Sequence, residues 1–358
     1  MARVDVVAEV MRHESDLAGI EEELDAHPAA VVRKIAAGRA AYGARAIVGA
    51  EPAELPEIET SSRARLETYV PAGLSAVRKL RRDGSAAEVD IRERRALEAL
   101  VLLMARPAIL VQDGRFFPAP KPWTDKLERH RAAIEAVLPR VGRIEVSGHP
   151  ALDWVGTGWL AADDVVMTNR HVAIEFARQQ GRSWIFAPGM EARVDYNEEL
   201  SAARPRETRL TEIVGIHETY DLAMLRCAEA PGGGPRLGPL PIARKPVVRG
   251  GTEVYVVGYP AADSRRNDPE EMQRIFAGVY NVKRLQPGKV RSLSRSRPEL
   301  VHDCSTLGGN SGSCLLDLET SRVIGLHFGG RYLEGNRALT LWRLGGDPLL
   351  AAAGVQLS

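Results

Sequence analysis

The sequence predicts an α+β chain in two parts, a helical front followed by an all-β domain, and three observations carry that division. Before about Arg115, apolar residues recur at helix-like spacing among charged ones, as in Val4, Val6, Val7, Val10 and Met11. From about Gly142 the texture changes to short apolar runs separated by Gly, Pro, Asp and Asn, the mark of many short strands in a barrel or sandwich. Between the two stands Pro118-Ala119-Pro120-Lys121-Pro122-Trp123, a stiff connector. The expected organisation is a helical regulatory or targeting domain over 1–117, a linker with a helix over 118–141, a β domain over 142–347 and a C-terminal tail over 348–358.

Each element has a local reason. Pro28-Ala29-Ala30-Val31-Val32 reads as a helix opening with proline in its first turn. Ile91 to Ala105, rich in Leu, Ala, Glu and Arg, predicts a helix that Arg106-Pro107 ends. Ala108 to Gln112 reads as a short strand entering a turn at Asp113-Gly114. Trp123 is expected to pack the connector, and Thr124-Asp125 to cap one more helix running through Val137. Strands are expected at Arg143–Val146, Gly158–Leu160, Val165–Thr168, Ser183–Ala187, Leu222–Cys227, Glu253–Gly258, Val279–Val282 and Val323–His327. Gly325 and Gly329-Gly330 fall where a neighbouring backbone comes close.

Composition narrows the function classes. Hydrophobic residues at 44% and charged residues at 27% suit a soluble globular protein. A formal net charge of +1 offers no overall field toward nucleic acid or a membrane surface, and Arg78, Lys79, Arg81 and Arg82 read as a solvated helix face. The start of the chain lacks an export signal, and the apolar stretch near Leu97 to Val111 is broken by Glu98, Arg106 and Pro107. A cytoplasmic protein is the expectation. Three cysteines, Cys227, Cys304 and Cys314, cannot build a disulfide framework; Cys304 and Cys314 either pair in an oxidising compartment or are buried thiols. His149, His217 and His302 have no companion ligands at zinc-like spacing, so neither metal nor cofactor is expected.

The chemistry lies in three blocks. Thr168-Asn169-Arg170-His171-Val172 comes first, then Tyr220-Asp221-Leu222-Ala223-Met224-Leu225, then Gly309-Asn310-Ser311-Gly312-Ser313. They supply a base, an orienting acid and a nucleophile in the order His, Asp, Ser, which is one of the orders used by serine hydrolase triads. His171 takes the hydroxyl proton, and Asp221, expected buried beside the imidazole, fixes its tautomer; Asp163 and Asp164 are the fallback acids. Ser311 attacks, and the amides of Gly309 and Ser311 receive the oxyanion. A phosphate cradle at the glycine-rich loop is disfavoured because no P-loop lysine follows. An α/β-hydrolase esterase is disfavoured because its order is Ser, acid, His.

These blocks, with Gly156-Thr157-Gly158, Gly258-Tyr259-Pro260 and Gly325–Gly330, resemble the motifs of chymotrypsin-fold (trypsin-like) serine peptidases over roughly Gly142 to Leu344. The resemblance implies two six-stranded antiparallel β-barrels with the triad in the cleft between them. Asn310 and Ser313 depart from the residues of the digestive enzymes and look like the bacterial branch. The animal enzymes pair an acid at the place of Asn310 with a new amino terminus, and Asn310 puts that device in doubt. The nucleophile block is most similar to that of the glutamyl endopeptidases. That similarity implies that Thr306 and His327 receive an acidic P1 side chain. Ser305, where trypsins carry a deep acid, argues against a basic one. The backbone of Phe328, Gly329 and Gly330 would pair with an extended protein or peptide substrate. A quality-control protease of the HtrA type lacking its PDZ domain, and a non-catalytic peptide-binding pseudopeptidase, are the competing readings. The front would either hold a zymogen-like peptidase inactive until cleavage or partner binding, or recruit substrate.

Overall fold

The computed structural model describes residues 18, 21–22, 70–83, 87–90, 92–93, 96–97, 106–202, 204–228, 237–261, 279–331 and 335–358. The helices expected at Val4–Met11 and Pro28–Val32 lie outside them, as does most of Ile91–Ala105. The chain forms two compact units: Met1–Ala108 with Pro118–Arg129 and Ser264–Val279, and Ile109–Phe117 with His130–Asp263 and Tyr280–Ser358.

In the first unit, helix α1 covers residues 70–83 and buries Val70, Ala76, Val77 and Leu80. The helical residues Arg92, Glu93, Ala96 and Leu97 follow a reciprocal cap. The Glu93 amide donates to Asp90 Oδ1 (2.8 Å), and the Asp90 amide donates to Glu93 Oε2 (3.1 Å), so an Asp-x-x-Glu box satisfies two donors at the helix start. Lys79 Nζ and Ser75 Oγ bind the same Glu93 carboxylate and hold it below the ordinary Glu range. Trp123 is fully buried, and α2 (Thr124–Arg129) follows it.

The second unit is built from strands. β1 (Ile109–Gln112) and β2 (Arg115–Phe116) form a hairpin through a turn at Asp113-Gly114, both residues at positive φ. Helix α3 (Arg131–Val137) leads into β3 (Val141–Ser147), β4 (Trp154–Ala162) and β5 (Val165–Thr168). The short helix α4 (Arg170–Ala173) precedes a separate hairpin of β6 (Ala177–Gln180) and β7 (Ser183–Phe186). Then come β8 (Glu191–Asp195), β9 (Glu207–Ile216) and β10 (Ala223–Cys227). Strands β10-β5-β4-β3-β8-β9 close into an antiparallel barrel. β9 shows why: Thr208, Leu210 and Ile213 are buried while Glu207, Arg209 and Thr211 are exposed, the alternation of a strand wet on one face. Ile144, Val166, Val194 and Leu225 fill the interior.

A second ring follows: β11 (Glu253–Gly258), β12 (Arg284–Leu293), β13 (Glu299–His302), β14 (Cys314–Asp317), β15 (Val323–Arg331) and β16 (Gly335–Thr340). Its order β11-β14-β15-β16-β13-β12 is closed by pairing of β11 with β12, around a core that includes Val254, Val256, Leu315 and Ile324. Two closed six-stranded antiparallel barrels make a chymotrypsin-like fold. Helix α5 (Pro348–Ala352) ends the unit, with Leu350 buried and Leu357 bridged to Ile242.

Several expectations are corrected. Val279–Val282 is not a strand: Asn281 sits at positive φ (64°), its amide donates to Pro260 O (2.8 Å), and the strand starts at Arg284. The helix expected from Thr124 through Val137 is two helices, interrupted at His130, whose backbone (φ −105°, ψ 11°) is not helical. The β1–β2 hairpin, assigned from sequence to the front, belongs to the β unit, where Ile109 pairs with Leu285 and Leu110 with Arg284. Residues 348–358 are a packed helix and bridge, not a bare tail.

Candidate active site

Asn169 follows β5 and Asp221 precedes β10, two strands that pair antiparallel with Ala223 opposite Thr168. That register delivers the base and the acid to the same end of the first barrel. His171 Nδ1 lies 2.7 Å from Asp221 Oδ2, and the His171 amide donates to Asp221 Oδ1 (3.0 Å). Asn169, fully buried, donates through Nδ2 to the Asp221 carbonyl (2.9 Å). Of the acids weighed from sequence, Asp221 is the one at His171; Asp164 instead binds Arg226 Nη1 (2.7 Å) at the β4–β5 turn. Asp221 is half-buried where burial was expected, and His171 is exposed.

Ser311 sits on the second barrel, after a 3-10 turn over Gly308–Asn310. Thr157 on β4 fixes that turn. Its Oγ1 donates to Gly309 O (2.8 Å), its amide donates to Ser311 O (2.8 Å), and its carbonyl accepts from Thr168 Oγ1 (2.8 Å). Glycines allow the close approach. A Cβ on Gly156 would lie 2.8 Å from Val172 Cγ2 and 2.9 Å from Ser311 O, so Ser311 and the residue after His171 converge on one point of β4. Gly312, at φ +89°, would carry a Cβ 2.1 Å from Thr157 O. Thr157 is the positioning residue that sequence reading passed over; the Gly-Thr-Gly block was its only signal.

The expected oxyanion donors need a correction. The Ser311 amide donates to Gly308 O at 3.2 Å, so in this structure it is engaged within the turn instead of facing an open hole. Rotation of the Gly308–Gly309 peptide would free it, and two successive glycines make that rotation sterically easy.

Of the residues expected to line the substrate pocket, Ser305 and His327 are buried, Thr306, Phe328 and Gly329 half-buried, and Gly330 exposed. Behind His327 lies fully buried His302, its Nε2 3.1 Å from His327 Nδ1. Burial lowers the His302 pKa to about 3. Burial chiefly, then the nearby His302 and His171, holds His327 well below the ordinary value, with Asp221 opposing. Both rings are therefore neutral near pH 7. The pairing of β14 with β15 stops at Leu326 while β16 follows β15 to Arg331, so one edge of Phe328–Gly330 has no strand partner among the described residues. Cys304 and Cys314 are buried thiols not bonded to each other, and burial raises the Cys314 thiol to about 12. Among the described residues one acidic cluster, Glu145, Asp195 and Glu198, has ligand-like spacing, and Arg143 and Arg193 neutralise it. No helix among these residues is long and apolar enough to cross a membrane.

A double barrel carrying a His-Asp pair beside a glycine-flanked serine defines the class of chymotrypsin-like folds. Residues 156–326 match the model of the trypsin-like peptidase domain. The chain is 28% identical over 317 residues to a Lysobacter enzymogenes protein named "Probable serine protease", covering 79% of this chain and 81% of that one. Among solved structures it is similar to the active form of the Rv3671c protease of M. tuberculosis, at 23% identity and TM-score 0.44, covering 65% of this chain and 88% of that one. It is also similar to the HtrA-type protease AlgW, at 16% identity and TM-score 0.42, covering 62% and 66%. Likenesses this distant transfer no substrate.

Proposed function

We propose that this chain is a serine endopeptidase acting through an acyl-enzyme. The observation that carries the reading is the His171–Asp221 contact at 2.7 Å beside a serine turn docked on β4. In the reaction, the Ser311 hydroxyl attacks the scissile carbonyl carbon and its proton passes to His171. Asp221 stabilises the imidazolium, which then protonates the leaving amine. Water repeats the sequence on the acyl-enzyme and restores Ser311. The Gly309 and Ser311 amides stabilise the oxyanion once the Gly308–Gly309 peptide has turned. One such donor is worth about 2.7–4 kcal/mol in another enzyme.

The pocket reading favours Glu or Asp at P1. A neutral His327 held by His302, together with the Thr306 hydroxyl that the resemblance places in the same pocket, would offer hydrogen bonds to a carboxylate without a buried cation. The open edge of Phe328–Gly330 supports pairing with an extended peptide. The front unit is proposed to regulate this activity.

A fluorophosphonate probe tests the chemistry. Wild type should be labelled at Ser311, and Ser311→Ala should remove both labelling and hydrolysis, a loss on the order of 10⁴-fold or more in kcat. An unlabelled wild type, intact and after limited nicking, would favour the non-catalytic peptide-binding reading.

A further inference from the structure

Asn310, immediately before Ser311, is fully buried, and a buried amide needs partners at both ends. Both come from Gln286 on β12, itself fully buried. Gln286 Nε2 donates to Asn310 Oδ1 (2.8 Å), and Asn310 Nδ2 donates to Gln286 Oε1 (3.3 Å). Ser313 Oγ adds a weaker contact to Oδ1 (3.5 Å).

The space for this contact is opened by a glycine. Gln286 pairs with Val256, which puts Gly258 on the diagonal of the same sheet face. A Cβ at Gly258 would stand 2.0 Å from Ser313 Oγ and 2.6 Å from Asn310 Oδ1. The missing side chain leaves the space in which the two amides meet. The need for such an anchor follows from the turn itself, since Gly308 and Gly309 alone permit many backbone states. A neutral amide at position 310 offers no charge for an ion pair, and a second neutral amide can satisfy both its acceptor and its donor.

We propose that Gln286 is a positioning residue for the nucleophile: its amide pair with Asn310 anchors the residue before Ser311, so that Ser311 stays in place while the Gly308–Gly309 peptide turns. The proposal rests on the peptidase reading and assigns the anchor that reading lacks. Gln286 touches no reacting atom, so its effect should fall on kcat.

The test compares Gln286→Leu and Gln286→Glu with wild type on one peptide, with melting temperatures measured alongside. Gln286→Leu should lower kcat about 10- to 100-fold, the scale of a misplaced reacting group, with KM changed by less than about twofold. Gln286→Glu should behave differently with pH. A buried carboxyl titrates high; protonated, it can donate to Asn310 Oδ1 as Gln286 does, and ionised it cannot. Its kcat relative to wild type should therefore rise as pH falls, while the Gln286→Leu ratio stays flat. Overturning results are a Gln286→Leu kcat within about twofold of wild type, or a Gln286→Glu ratio that is flat with pH. A wild type that neither reacts with fluorophosphonate nor cleaves peptide sinks the peptidase reading and this proposal with it; active wild type with indifferent variants sinks this proposal alone.

Discussion

At the residue scale, two buried histidines make the site's pocket sensitive to acid. His302 and His327 have folded pKa values below that of an unfolded histidine, near 6.5. Above that pH both states are neutral and nothing changes. As pH falls below about 6.5, toward the folded pKa of about 3 for His302, the unfolded chain takes up protons that the folded one refuses. Folding stability should then drop by about 1.4 kcal/mol per pH unit for each group. His302→Gln should flatten that decline in urea melts between pH 6 and 4; an unchanged slope would show that His302 does not contribute to it. His327→Ala should reduce cleavage after Glu relative to uncharged P1 residues by about tenfold or more, read from a peptide library; an unchanged profile removes the acidic-P1 reading. His171 and Asp221 were legible because their motif blocks come in order. Asp221 was preferred over the nearer Asp164 on its motif block, and the β5–β10 register is what brings it to His171.

At the element scale, what hides from sequence is whatever breaks the apolar pattern. β12 contains Pro287 and Gly288 within Arg284–Leu293 and reads as a loop. It tolerates proline because β1 pairs it at Leu285 and Arg284 and β13 only from Val290 onward, which leaves Pro287 on an unpaired stretch of that edge. Gln286, one residue earlier, was missed with it. His217, set aside in sequence for want of companion ligands at zinc-like spacing, organises the Asp221 loop. Its Nδ1 accepts from the Thr219 and Tyr220 amides (3.0 and 2.9 Å), and its Nε2 meets Asp347 Oδ2 (2.9 Å). Asp347 also caps α5 by accepting from the Leu349 amide (2.9 Å). Asp347→Ala should therefore cost about 1 kcal/mol for the cap alone, seen as a lower melting temperature, and should also lower kcat through the loosened loop. A drop in stability with kcat untouched would confine the residue to capping.

At the scale of the whole molecule, the β unit reaches back into the sequence before the connector. Lys283, fully buried, donates to Leu138 O (2.9 Å), Tyr196 O (2.8 Å) and Glu199 Oε1 (3.0 Å). Glu199 Oε2 accepts from the Gly114 amide (2.7 Å) in the β1–β2 turn. A chain beginning at Arg106 keeps that hairpin, whereas one beginning at Thr124 loses it and strips Glu199 of a partner. The shorter chain should melt lower by about 1–3 kcal/mol of stability, and only the longer one is a fair test of the front. If full-length protein and the chain from Arg106 cleave one peptide at equal rates, regulation by the front is wrong.

The sequence by itself determined the fold class of the β unit, the order of the motif blocks and the identity of His171, Asp221 and Ser311 as candidates. These depend on local patterning and on residue types whose chemistry has few substitutes. Only the tertiary structure decided which acid faces His171, that the Ser311 amide is engaged by Gly308, and that Gln286, Thr157 and His302 stand behind the site. Those are contacts between strands far apart in the chain, fixed by register and by the space a glycine leaves, and residue spacing carries no record of either.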